Sequence, residues 1–82
     1  MGSRRKEQVP RGAPRVTLGE SIRKHREAKG WTQSELARKI GVADSRISVY
    51  ERDGAVPQLK QLLALAEIFE VSLDVLVGRS ES

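Results

Sequence analysis

The feature that most constrains this chain is a helix that stops and restarts almost at once. In TQSELARKIGVADSRIS, residues 32–48, Ala37, Arg38, Lys39 and Ile40 favour continuing a helix, yet Gly41 interrupts it. Helical pattern resumes within a few residues, over Ser45 to Tyr50. Glycine enters the left-handed backbone region that a side chain resists, so Gly41 is expected to end the helix in a sharp turn. Two short helices joined this way cross steeply, at roughly 90–120°. Ala37 is small enough for the crossing point, and Val42 and Ile47 suit the angle between the helices. The second helix is then held with one side exposed, a shape that fits a DNA major groove about 12 Å wide.

The surrounding punctuation predicts an all-α chain of five helices. TLGE is a capping box, with Thr17 as cap and Glu20 reaching back, and TQSE repeats it with Thr32 and Glu35. Leu18, Ile22 and the His25/Arg26 pair follow at helical spacing, and Gly30 closes the first helix. The third helix is expected from about Asp44 to Arg52, before Asp53-Gly54. Pro57 is read as opening a largely buried fourth helix through Leu59, Leu62, Leu63, Leu65, Ala66 and Phe69. Ser72 caps a last short one, LDVLV, before Gly78. Residues 1–16, with two prolines and four arginines, read as a flexible basic arm whose opening MGS has the look of a cloning scar, and 17–82 as the domain.

Charge is unevenly spread over the 82 residues, which suffice for one small core. Residues 1–17 carry +4, residues 18–52 carry +3 and residues 53–78 carry −3. A basic first half is what a nucleic-acid protein needs, although uneven charge alone also suits any helical domain. There is no cysteine, hence no disulfide and no thiolate zinc site, and His25 has no second histidine beside it. No metal, cofactor or enzymatic activity is expected: no nucleophile–base set, carboxylate pair or glycine-rich phosphate loop is present. The apolar run LLALAEIFEVSLDVLVG is broken by Glu67, Glu70 and Asp74, too short and charged to span a membrane. A soluble, intracellular protein is expected.

From Leu18 to Gly78 the sequence resembles the phage-repressor-type (Cro/CI, or Xre-type) helix-turn-helix domains. Gln33, Leu36, Ala37, Gly41, Ile47, Glu51, Pro57 and Leu59 all fall at that family's spacing. The resemblance implies a compact five-helix, lambda-repressor-like DNA-binding domain and a cytoplasmic transcriptional regulator, bacterial or phage-encoded. It would act on double-stranded DNA as a homodimer on a pseudo-palindromic operator. An antitoxin that also binds its own promoter is the alternative, and a protein-interaction module that no longer reads DNA a third.

The resemblance also assigns roles. Base contacts fall on Asp44, Ser45 and Val49. Setting Ile47 inward turns Ser45, Val49 and Arg52 outward, with Arg46 and Ser48 on the flanks. Arg46 can reach guanine or a phosphate. Asp44 either caps the third helix, since Ala43 is a poor cap, or accepts from a cytosine amino group. Gln33 is the family's phosphate grip, at a helix start that already favours anions. Ser48, Arg52 and Lys60 are further phosphate candidates. Arg26 falls on the inward stripe of the first helix, and the family pairs it with the residue matching Glu51 in an ion pair that locks the third helix to the first. Trp31 and His25 are read as core and boundary residues.

Overall fold

The computed structural model describes residues 16–78. The basic arm expected over residues 1–16 lies outside them, Val16 excepted. Five helices and no strand occur among the described residues: α1 (Leu18–Ala28), α2 (Gln33–Ile40), α3 (Asp44–Glu51), α4 (Leu59–Phe69) and α5 (Leu73–Leu76).

Both capping boxes form. Thr17 Oγ1 accepts from the Glu20 N–H at 3.1 Å while Glu20 Oε1 accepts from the Thr17 N–H at 3.2 Å. At α2 the same two bonds measure 3.0 and 2.7 Å, through Thr32 and Glu35. Ser72 caps α5 by accepting from the Val75 N–H at 3.1 Å. Gly41 ends α2 with φ +77°, the left-handed turn expected of it. Only Gly41, Val42 and Ala43 separate α2 from α3.

Each helix sends at least one side chain into a single core. Ile22, Leu36, Ala37, Ile47, Leu65 and Leu76 have no solvent exposure, and Tyr50, Ala66 and Phe69 very little. Burying each of the larger aliphatic chains is worth about 1.5–3 kcal/mol. One end of the core is aromatic. Phe69 stacks on Trp31, with ring centroids 6.0 Å apart, and on His25 at 5.3 Å. Lys39 Nζ lies 4.6 Å from the centroid of the Trp31 ring. His25 thus serves as a half-buried packing residue, its Nδ1 2.8 Å from the Ser21 carbonyl oxygen.

Two expectations about α4 need correction. The helix begins at Leu59 behind Gln58, two residues after the buried Pro57. It is also less buried than its leucines suggest, with Leu59 62% and Leu63 51% exposed. At 100° per residue Leu63 stands about 160° from Leu65 and about 120° from Phe69, outside the buried face, whereas Leu59 shares the angle of Ala66 but sits at the open first turn of the helix.

Gly19 sets how closely α1 meets the end of α3. A Cβ there would stand 2.5 Å from the Glu51 carbonyl oxygen and 2.6 Å from that of Tyr50. The approach lets Asp53, itself at φ +60°, accept from the Gly19 N–H at 2.9 Å and from Thr17 Oγ1 at 2.7 Å. Asp53 thereby adds a second acceptor to the start of α1 from 34 residues away.

Chemical denaturation of two variants should separate two uses of glycine. Gly41→Ala meets no neighbour and should lose about 1–2 kcal/mol of stability through backbone strain alone. Gly19→Ala collides with backbone oxygens and should cost about 3 kcal/mol, the upper end of overpacking. Equal losses would contradict the distinction.

Candidate nucleic-acid interface

Helix α3 is divided lengthwise. Ile47, Tyr50 and Glu51 are buried; Asp44, Ser45 and Arg46 are exposed; Ser48 and Val49 are half-buried. Ser45 therefore stands on the open face, as the helical wheel requires, and Arg46 on its flank is exposed as well. Val49 is less free than expected, because the turn after α3 folds back on it. The Gly54 N–H donates to the Val49 carbonyl at 2.9 Å, and a Cβ on Gly54 would sit 3.1 Å from Val49 Cγ1. Arg52 follows the last residue of α3, and its Nη1 donates to Ser48 Oγ at 2.9 Å, so these two phosphate candidates are paired with each other. Lys60 is exposed in the first turn of α4. Beside α3 lies an open concavity of about 410 Å³, lined by Arg46 and Tyr50, by Val56 and Gln58 ahead of α4, and by Gln61 in its first turn.

The inner side of α3 is held by its last residue. Glu51 Oε2 accepts from Arg26 Nε at 2.6 Å and Oε1 from Arg26 Nη2 at 3.1 Å, a two-pronged pair with both side chains largely buried. Arg26 Nη1 also donates to the Trp31 carbonyl at 2.8 Å. Its hydrogen bonds to Glu51, reinforced by that carboxylate's charge and opposed by burial, raise the guanidinium's pKa above its ordinary value. With the folded pKa raised, this contribution is present throughout the range below arginine's ordinary pKa and is lost only at still higher pH.

Glu51 Oε1 takes a third bond, from Gln33 Nε2 at 3.0 Å. Gln33 is thus half-buried and tethered to α3, with one of its two amide hydrogens used and the other available. Thr32 occupies the N–H of Glu35, while the N–H groups of Gln33 and Ser34 have no acceptor among the described residues. The start of α2 accordingly presents two backbone donors and one side-chain donor at the positive end of a helix dipole.

Asp44 does not cap α3. The cap position is Ala43, with extended backbone and no side-chain bond, and Asp44 is already the first helical residue. Its carboxylate turns instead to Ser34, whose Oγ donates to Asp44 Oδ2. The negative charge still complements the helix start without closing a cap. Neither Ser34 nor Asp53 was visible as a partner in the sequence. Each contact spans elements whose relative placement is set only by the fold.

Two short helices, a left-handed glycine between them and a second helix open along one side define a helix-turn-helix domain, here within an all-α, lambda-repressor-like set of five. The chain belongs to the helix-turn-helix family HTH_3, whose family model matches residues 22–76. It is 36% identical over 66 residues to the HTH-type transcriptional regulator ImmR of Bacillus subtilis (strain 168), covering 80% of this chain and 52% of ImmR. It is 31% identical over 65 residues to the antitoxin HipB of Escherichia coli (strain K12), covering 79% of this chain and 74% of HipB. The crystal structure of the P22 c2 repressor in complex with a synthetic operator matches with a TM-score of 0.73 at 33% identity, covering 78% of this chain and 97% of that one. The chain thus spans about half the length of ImmR.

The Arg26–Glu51 pair lends itself to a double-mutant cycle read by denaturation. Arg26→Ala or Glu51→Ala alone should cost about 3 kcal/mol, because each strands a buried charge. The double variant should cost clearly less than the sum. Strict additivity would show that the two side chains stabilise the fold independently.

Proposed function

We propose that this chain is the DNA-binding domain of a transcriptional repressor that reads an operator with α3. The observation that carries this reading is the tether between Gln33 and Glu51. It joins the donor-rich start of α2, suited to a phosphate, to the helix whose outer side is open to base edges. In this reading Asp44, Ser45 and Arg46 contact bases, and Val49 offers its exposed portion to a thymine methyl. Gln33 and the free N–H groups beside it grip one phosphate, while Ser48, Arg52 and Lys60 supply further backbone contacts. The likeness to an operator-bound repressor supports it.

A homodimer completes the proposal. One such domain spans little DNA, and two related by a two-fold axis reach half-sites about 34–36 Å apart. Leu59 and Leu63, 62% and 51% exposed one turn apart on α4, offer an apolar surface suited to pairing with its own copy. No helix of the described residues is long and apolar enough to cross a membrane. The likeness to HipB supports a second reading, a toxin-neutralising protein with the same DNA-binding domain. Co-purification of a toxin encoded beside its gene would select that reading.

Fluorescence anisotropy on duplexes across a salt series tests the contacts. Gln33→Ala should weaken binding to every duplex about tenfold without altering the salt slope, since glutamine carries no charge. Arg52→Ala or Lys60→Ala should lower the slope by about one. A Gln33→Ala loss confined to one base pair would refute its phosphate role. Leu59→Glu and Leu63→Glu, both at exposed positions, should leave melting unchanged and abolish cooperative occupancy of paired half-sites. Unimpaired cooperativity would place the dimer contact elsewhere.

A further inference from the structure

We infer that Ser34 is a positioning residue for base recognition: its hydroxyl sets the Asp44 carboxylate to accept from the amino group of a cytosine. The inference rests on the DNA-binding reading above and deepens it by naming one base.

Asp44 is exposed, opens α3 and has no capping duty. A carboxylate in that place is a liability near a polyanion, because phosphates repel it, so it favours binding only where it meets a donor. Ser34 Oγ engages Oδ2, and Oδ1 has no partner among the described residues. One oxygen is therefore fixed by the protein and the other is left to accept.

The choice of base follows from what each edge presents. An ionised carboxylate offers acceptors only. Guanine shows two acceptors in the major groove, and thymine an acceptor and a methyl group, so both are repelled. Adenine offers its N6 donor beside the N7 acceptor, which a carboxylate oxygen opposes. Cytosine presents its N4 donor without a neighbouring acceptor on the same base, and is the best match.

Ser34 matters because an exposed aspartate otherwise samples several rotamers and solvates itself. Anchored to the first turn of α2, its free oxygen keeps one direction relative to the backbone-binding end of that helix. Ser34 touches no base in this account. Its effect passes through Asp44.

The experiment is a selection from randomised duplexes with the full chain, followed by anisotropy on the selected sites, for wild type, Ser34→Ala, Ser34→Thr and Asp44→Asn. The wild type should enrich cytosine at one position of each half-site. Asp44→Asn should move that preference to adenine, whose N6 and N7 an amide reads together. Ser34→Ala should reduce the cytosine preference there about tenfold, leaving preferences elsewhere and the melting midpoint unchanged, and Ser34→Thr should restore it. The inference is overturned if Ser34→Ala weakens all sequences equally, if it leaves the cytosine preference intact, or if Asp44→Asn selects the same base as wild type. Absence of any salt-sensitive duplex binding by the wild type would be a different failure, removing the DNA-binding reading itself.

Discussion

The arrangement depends on one buried carboxylate. Glu51 is 8% exposed and accepts from Arg26 twice and from Gln33 once, so three helices meet on two oxygen atoms. An unpaired carboxylate in that place would be very costly, which makes any packing that fails to deliver Arg26 unfavourable. Buried ion pairs seldom stabilise a fold more than well-packed hydrophobes of the same volume. What this one adds is a polar path from inside the domain to a surface residue. Apolar residues at both positions 26 and 51 could pack as well, but they would have nothing to offer the amide of Gln33.

Glycines control the same geometry in two ways. Gly41 acts through its own backbone: with open space around a hypothetical Cβ, only its left-handed φ explains the residue. Gly19 acts through its neighbours, admitting the carbonyls of Tyr50 and Glu51 to a distance no side chain allows. One glycine turns α3 away from α2, and the other lets the far end of α3 settle against α1. The open face of α3 is what remains once both constraints are met.

What the sequence revealed depended on range. The capping boxes at Thr17 and Thr32 occupy four residues each, and Gly41 marks its own turn, so helix starts and the break were legible locally. Arg26 and Glu51 are 25 residues apart and were paired only through the family resemblance. Local logic offers a cap next to a poor capping residue such as Ala43, and the structure does not bear out that alternative for Asp44. Its partner Ser34 lies ten residues back on another helix and becomes a neighbour only once the crossing is fixed. The exposure of Leu59 and Leu63 escaped for a related reason: a leucine-rich segment does not say how wide a strip its neighbours will cover.

Adjacent residues on α2 hold opposite ends of α3. Gln33 reaches Glu51 at its close and Ser34 reaches Asp44 at its beginning. An eight-residue helix is about 12 Å long; its buried Ile47 and Tyr50 fix its tilt and rotation, and the end contacts orient the groups at its two ends. Side chains that read base edges need such restraint, because a turn of α3 by one residue's 100° would replace one set of exposed groups with another. The backbone donors at the start of α2 belong to the same rigid piece. A phosphate seated there would therefore fix which base pair each residue of α3 can reach, and register on the duplex would follow from bonds within the protein.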